Sequence, residues 1–359
     1  MINEEDDLTE PVATRGVDAS LFSDSLTRPT LGMLEAMLNA EVGDEQRGTD
    51  PTVKELERRV AELLGHEAAV FLPSGTMCNA IGVRLHIRPG GDEIILDEFA
   101  HPSESEAGGP AVLSGATLRF LRTEHGIFSG ADVEAAVRPR DRYLPRSRLV
   151  IVEQTVNLAG GRVWPLDQIE DVLAAARRHG LRTHLDGARL LNACVASGIA
   201  ARDFASGFDT AWIDFAKGLG CPLGAVIAGS AELIEEAWRY KQMWGGAMRQ
   251  TGYVAAACLY ALDHHIGRLA GDHALARELA ELLTEVPGVE IDPEAVETNI
   301  VVFAVPDAQA VAAELRRAGV DLLVVDGRRL RAVTYLGIDR ARIHEAAGLI
   351  KAAVAEVVR

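Results

Sequence analysis

The chain has 359 residues, 48% of them hydrophobic, and its 53 acidic side chains outnumber 36 basic ones to give a formal net charge of -17. That balance argues against nonspecific nucleic-acid binding and against anionic membranes, both of which call for basic patches. A folded chain of this length buries roughly three-quarters of its unfolded surface, enough for one large domain and a smaller one.

Residues 1–20 are acidic, carry Pro and Gly and show no apolar period, so a flexible tail is expected there. The same stretch lacks the basic and apolar segments of a secretory signal, and no run reaches the ~18 apolar residues of a membrane span. Cys78, Cys194, Cys221 and Cys258 form no C-x-x-C pair. Reduced thiols in a cytoplasmic protein are therefore expected, rather than a disulfide framework or a zinc site.

From Asp50 the pattern sharpens. "PTVKELERRVAELLG" offers a T-x-x-E capping box at Thr52 and Glu55, apolar residues at 53, 56, 60, 63 and 64, and a stop at Gly65, which predicts an amphipathic helix. Short apolar runs follow: "AAVFLP", then the turn "SGT" and a helix from near Met77, then "DEIILD", "TLRFL", "RLVIVE", "RTHLD", "TAWIDF" and "GAVIAG". Helical stretches such as "LDQIEDVLAAARRHG" separate several of them. Runs that barely alternate, joined by helices, predict an α/β fold with a mainly parallel sheet covered on both faces.

After residue 245 two helical stretches lead into "TNIVVFAV", a helix at 307–318, strands near 321 and 330, and a last helix from about 339. The expected division is a large ligand-binding domain over 21–250 and a small α+β domain over 251–359. His264, His265 and His273 fall on the helices between; they are expected at a surface or interface, and no metal site is expected because no ligand spacing converges.

"WIDFAKGLGCPLGAVIAG" places Lys217 where a strand gives way to glycine-rich turn, and "RTHLDGARLLNA" places Asp186 at another strand end, 31 residues earlier. Ligands in open α/β sheets sit beyond the carboxyl ends of strands, and one helix plus one intervening strand fit between the two residues. A lysine and an acid so placed suit pyridoxal phosphate (PLP): the lysine forms the Schiff base, and the aspartate pairs with the pyridinium nitrogen. A helix N-cap is the competing role for Asp186. Ser74, Gly75 and Thr76, between a strand and a helix, form a candidate phosphate cradle. Arg249 in "GGAMRQTG" is a second candidate phosphate ligand, or a solvated charge. A dinucleotide loop at G-L-G-C-P-L-G fits poorly, because another strand follows it rather than a helix.

Together, "DGARLLNA", "KGLGCPLG" and "GGAMRQTG" make the sequence resemble the low-specificity threonine aldolases, PLP enzymes of the aspartate aminotransferase fold type (fold type I). Further matching stretches are "EVGDEQRGTDPTVKELE", "FLPSGTMCN", "GGPAVLSGA", "GGRVWPL" and "RAVTYLGI", running from about residue 23 to the C-terminus. The resemblance implies a seven-stranded sheet in the large domain. It implies that Lys217 holds PLP, that Asp186 binds its nitrogen, and that Arg189 lies near the ring and the substrate carboxylate. His101 matches a histidine that stacks on the ring near the substrate hydroxyl, though a lone histidine is also a common structural residue. Gly75, Thr76 and Arg249 match phosphate ligands, and Ser23 and Arg331 match the grip on the substrate α-carboxylate. A homodimer or homotetramer with shared active sites is implied as well.

Four positions depart from the family pattern. Arg47 stands for a tyrosine, Tyr143 for a second histidine, Val156 for a further histidine, and Ala216 for the serine before the lysine. Cleavage of a β-hydroxy-α-amino acid to glycine and an aldehyde is expected, with His101 as the base for the hydroxyl and Tyr143 as a hydrogen-bond partner. Arg47 can grip a second substrate carboxylate, point to solvent, or pair across an interface. The departures leave β-elimination, an acidic substrate such as 3-hydroxyaspartate, and a non-catalytic PLP-binding protein as alternatives.

Overall fold

The computed structural model describes residues 20–358, and the expected acidic tail lies, but for its last residue, outside them. Seven strands form the main sheet: β1 Ala68–Leu72, β2 Glu93–Asp97, β3 Thr117–Leu121, β4 Ser147–Glu153, β5 Arg182–Gly187, β6 Thr210–Asp214 and β7 Ala225–Gly229. Their order across the sheet is β1-β7-β6-β5-β4-β2-β3. Only β7 runs against the rest. The carboxyl ends of β1, β4, β5 and β6 therefore share one edge, where a doubly wound sheet takes its ligand.

Helices α1 Leu31–Leu38 and α2 Pro51–Leu64 precede β1, and α3 Gly75–His86 follows it. Two short helices, α4 His101–Glu104 and α5 Gly109–Ser114, lie between β2 and β3. Next come α6 Gly130–Ala136 before β4, α7 Leu166–His179 before β5, and α8 Leu190–Ser197 with α9 Ala201–Ala205 before β6. After β7 run α10 Ala231–Met243, α11 Gly252–His264 and α12 Leu269–Thr284. A second sheet holds β8 Ile300–Ala304, β9 Leu323–Val324 and β10 Arg329–Val333, with α13 Ala308–Arg317 and α14 Arg340–Val358 beside it. No helix among the described residues is long and apolar enough to cross a membrane.

The period of two explains why the strands read as unbroken apolar runs. In β1, Ala69 and Phe71 join one core while Val70 and Leu72 join the core on the other face. Both faces are buried, so both alternating sets must be apolar. A separate core unites α12, α13, α14 and the small sheet. α11, which begins at the expected boundary, packs into the larger core through Ala255, Ala257, Cys258 and Ala261.

Several local expectations are corrected. The cap of α2 is Asp50, whose carboxylate accepts from Val53 N at 3.1 Å, with Pro51 opening the first turn. Thr52 turns away and donates to Glu41 O, so the capping box is not formed. α3 starts two residues before Met77, because Ser74 accepts from Met77 N. No strand separates β5 from β6, which pair directly, Asp186 opposite Trp212; the intervening chain folds as α8 and α9. His265 is buried and hydrogen-bonds Leu219 O at 2.7 Å, while His273 meets Asn192. His265 is therefore not a surface residue, and His273 is half-buried.

The chain's first described residues tie the two sheets to the ligand edge. Leu21 donates to Asp321 O and accepts from Val333 N, and its side chain joins the smaller core. The single turn Asp24–Leu26, capped by Ser23, then enters the space between the sheets.

Candidate active site

A cavity of about 480 Å³ opens at the carboxyl edge of the sheet, and Ser23, Ser74, Gly75, Thr76, His101, Asp186, Arg189, Lys217 and Arg331 all line it. Nine of the twelve sequence-predicted residues thus converge from distant parts of the chain. A comparable groove of about 560 Å³ between α3, α5 and α10 lies away from this edge, lined by Arg84, Val112, Arg239, Tyr240 and neighbours. It holds none of the predicted groups.

Asp186 ends β5 fully buried. Its Oδ2 accepts from Asn79 Nδ2 at 2.7 Å and its Oδ1 from Ala188 N at 3.1 Å. It does not cap α8, whose N-cap residue is Arg189. Lys217 lies three residues beyond β6, and its ammonium pairs with Asp214 on that strand. Asp214 Oδ1 also accepts from Ala216 N at 2.9 Å, so one carboxylate orders the turn and holds the amine at the cavity wall.

Beside that carboxylate the first turn of α3 presents the N–H groups of Gly75 and Thr76, which have no acceptor within the helix. Ser74 Oγ is occupied as the cap. A Cβ at Gly75 would lie 2.5 Å from Trp212 Cη2 and 3.0 Å from Asp214 Oδ2. Only glycine lets this turn approach the sheet so closely, leaving backbone donors and positive dipole for an anion.

Two buried guanidinium groups form a third wall. Arg189 makes a bidentate pair with Asp24, at 2.8 and 2.6 Å. That pairing outweighs the burial of Asp24, holding its carboxyl at about 2. Among the described residues Arg331 has no carboxylate partner: it donates to Asn157 Oδ1 and, at 2.9 Å, to Phe22 O. Its Nε is buried with no partner among those residues. Burial, and then the charge of Arg189, push Arg331 down to about 10. A cation so placed is stabilised by an arriving carboxylate.

His101 opens α4, and its Nδ1 lies 2.8 Å from Glu106 Oε1. Its backbone N donates to Glu153 Oε2 at 2.7 Å. Burial opposes the imidazolium, but the Glu106 hydrogen bond and the charges of Asp186, Glu153 and Glu106 outweigh it and raise the His101 pKa. Glu153, beside Asp186 on β4, is itself pushed up to about 7 by burial and by that neighbouring charge. With Nδ1 engaged by Glu106, Nε2 is the nitrogen left to exchange a proton with a ligand.

Three predicted residues lie elsewhere. Tyr143 is 86% exposed in the loop before β4, where its ring meets solvent rather than a substrate hydroxyl, so the chain's own cavity does not use it. Arg47 sits at an exposed turn, and Arg249 is exposed and paired with Asp44 at 2.9 Å. Neither lines the cavity. Asp24, Asn79, Glu106, Glu153, Asn157 and Asp214 escaped the sequence reading. Asp214 carried a visible signal, an acid three residues before the lysine, and Glu106 lies only five residues beyond the histidine it holds; Asp24, Asn79, Glu153 and Asn157 act on site residues more than 25 positions distant.

A lysine, a buried aspartate and a helix N-terminus around one cavity, on a seven-stranded mixed sheet with a smaller antiparallel sheet beside it, define a PLP enzyme of fold type I. The profile of the beta-eliminating lyase family matches residues 20–306. Low-specificity L-threonine aldolase 1 of Arabidopsis thaliana is 38% identical over 92% of this chain and 94% of its own. The low specificity L-threonine aldolase of Escherichia coli K12 is 36% identical over 91% and 96%. In structure, a Leishmania major threonine aldolase superposes with a TM-score of 0.79 over 93% of this chain and 99% of its own, at 23% identity. A serine palmitoyltransferase from S. paucimobilis gives 0.73 at 17% identity, over 99% and 92%, which attests the fold alone. The chain belongs to the beta-eliminating lyase family, and within it to the threonine aldolases: it is a PLP-dependent lyase.

Proposed function

We propose that the enzyme cleaves a threonine-like β-hydroxy-α-amino acid to glycine and an aldehyde, or runs the reverse condensation. The observation that carries this is the pairing, in one cavity, of a carboxylate-free buried Arg331 with an imidazole whose Nδ1 is already held. The residues fit the cofactor. Lys217 is the amine that would hold it, Asp186 the partner of its ring nitrogen, and Gly75 and Thr76 the donors to its phosphate, with Ser74 ordering that turn. When bound, PLP supplies an electron-accepting ring that stabilises charge left at the α-carbon.

Arg331 binds the substrate α-carboxylate, with Ser23 and Arg189 beside it. Asp24 neutralises Arg189, so the positive charge left for the substrate is that of Arg331. His101 takes the β-hydroxyl proton at Nε2 while Glu106 keeps Nδ1 protonated, the arrangement a general base requires. Among the described residues an acidic β-substituent finds no spare arginine lining the cavity, since Arg47 lies outside it and Arg189 is paired.

A second copy of the chain completes the phosphate site. Arg249, and Arg47 beside it, are carried on surface loops that pack together, Glu45 N donating to Arg249 O. Leu34 and Leu38 of α1 and Tyr253 of α11 are exposed apolar side chains, 37%, 79% and 46% accessible, on helices that pack against each other. Both features support a homodimer or homotetramer with shared sites. The four free cysteines support a cytoplasmic location.

A substrate panel read for aldehyde and, separately, for ammonia plus keto acid tests the activity. Aldehyde without ammonia is expected, lost with Lys217→Ala together with the visible absorbance of bound PLP. Ammonia and keto acid without aldehyde would select β-elimination instead.

A further inference from the structure

Asp186 and His101 are joined behind the cavity wall by a single amide. Asn79 of α3 donates one Nδ2 hydrogen to Asp186 Oδ2 and the other to Glu106 Oε1, both at 2.7 Å. Glu106 in turn holds His101 Nδ1. On the far side, Asn79 Oδ1 lies 2.8 Å from Trp212 Nε1 and 3.2 Å from His184 Nε2. An indole N–H only donates, so Oδ1 must face it. That settles the orientation of the amide, which heavy-atom positions alone leave ambiguous.

The same constraint runs further back. His184 must carry its hydrogen on Nε2, so its Nδ1 accepts from the Thr210 hydroxyl at 2.8 Å. Thr210 Oγ1, having spent its hydrogen, accepts from His86 Nε2 at 2.9 Å. Every donor in the row points toward the two carboxylates. Both imidazoles stay neutral, since burial holds His184 at about 3 and His86 at about 4. Asn79, His86, His184 and Thr210 are all buried. No atom of the row is among the buried polar atoms left without a partner, the condition under which a buried network rigidifies its surroundings.

Helix α3 is shaped to seat this row. Gly75, Asn79 and Gly82 fall at i, i+4 and i+7, on one helix face. A Cβ at Gly82 would lie 2.3 Å from His184 Cε1, so any larger residue displaces the ring that fixes Asn79. None of Asn79, Glu106, His184, Thr210 or His86 lines the cavity. Their influence passes through Asp186 and His101, which do.

We propose that Asn79, held by Trp212 and His184, is a positioning residue that orients Asp186 and Glu106 together. One side chain thereby sets both the partner of the cofactor nitrogen and the imidazole that exchanges the substrate proton. The inference rests on the roles given above to Asp186 and His101. Loss of Asn79 removes a donor from each carboxylate at once, whereas loss of His184 loosens the amide and leaves both donors in place.

The test compares Asn79→Leu, Asn79→Ser, His184→Leu and His184→Gln with the wild-type protein. PLP affinity is measured by absorbance and fluorescence titration of the stripped protein. His101 titration is followed by NMR of labelled histidine without PLP, its resonance identified by loss in His101→Gln. Circular dichroism and thermal melting establish folding. Asn79→Leu is expected to weaken PLP binding at least tenfold. It also moves the His101 titration to higher pH, because Glu106, short of a donor, holds the imidazolium more tightly while Glu153 and Asp186 still face it. His184→Leu shifts both readouts the same way by less, and His184→Gln, which keeps a donor near the Nε2 position, returns them toward wild type. Asn79→Ser reaches only one carboxylate and adds no bulk, so it carries the same expectation should the leucine variant fail to fold. Folded Asn79 variants with PLP affinity within twofold of wild type and an unmoved His101 titration would overturn the proposal. A wild-type protein that binds no PLP refutes the cofactor reading instead, and the His101 comparison still decides this one.

Discussion

Replacing Asp24 by asparagine isolates the electrostatics of the substrate wall. Asp24 is fully buried and meets Arg189 through two hydrogen bonds and Asn299 through a third, at 3.1 Å. Burial alone would raise its pKa; the Arg189 charge and hydrogen bonds instead hold it at about 2, against an ordinary 3.8. At ~1.4 kcal/mol per pKa unit, the ionised carboxylate contributes about 2–3 kcal/mol to stability. Asp24→Asn also leaves Arg189 buried without its counter-charge, so the total cost at pH 7 is about 3–5 kcal/mol. The sign with pH follows from the depressed pKa. The contribution is complete above 3.8 and is lost as pH falls toward 2. The gap between wild type and variant should therefore be constant from pH 7 to 5 and shrink below pH 4. Urea unfolding at fixed protein concentration, repeated across this range, measures it. A gap under ~0.5 kcal/mol at pH 7, as for an ordinary surface substitution, would refute the reasoning, as would a gap that widens on acidification.

Arg331→Gln should lower kcat/KM for threonine by roughly 30- to 1,000-fold, the loss of one buried charge-assisted contact worth about 2–4 kcal/mol; steady-state kinetics with an unchanged kcat/KM would remove it as the carboxylate anchor. Tyr143→Phe should leave kcat/KM within about twofold, because the ring is 86% exposed and surface changes are small. A tenfold loss in the same assay would instead place the Tyr143 hydroxyl against the active site of another subunit.

What the sequence disclosed follows the range of the interactions involved. Strand and helix positions could be read because they depend on near neighbours, as in the apolar face of α2 ending at Gly65 with φ 73°. Lys217, Asp186 and Gly75 could be read because each marks a strand or helix end, where local pattern and chemistry coincide. Asp24 could not: its partner Arg189 lies 165 residues away, and an acid in "FSDS" looks like a solvated turn. Glu106 and Asn79 were hidden the same way, since nothing local distinguishes them from an exposed glutamate or a helix asparagine. The spacing of Gly75, Asn79 and Gly82 was in plain view, yet it signifies a close approach only once β5 and β6 lie beneath that face. Capping went astray at α2 because Asp50 and Thr52 are both competent caps, and Pro51 at the first helical position favours the earlier one.

The four departures from the family pattern bear on the reaction very unequally. Val156 is 1% exposed, bridges to Arg162 and packs into the larger core, so its side chain faces away from the substrate. Tyr143 and Arg47 are outside the cavity, and any role for them requires a second subunit. Ala216 does line the cavity, but a cation contact is present beside it, because Asp214 binds both the Lys217 ammonium and the Ala216 N–H. Among the described residues, His101 is the one imidazole that lines the cavity. In the proposed reaction, then, the imidazole offered to the β-hydroxyl proton is that of His101, with Nδ1 held by Glu106 and Nε2 left to exchange the proton. Asp186 and Asp214 are committed to other partners, while Glu153, which also lines the cavity with its carboxyl pushed up to about 7, already accepts from two backbone N–H groups. The altered positions therefore leave the proposed cleavage its candidate base, an imidazole whose proton affinity is raised by the acids around it.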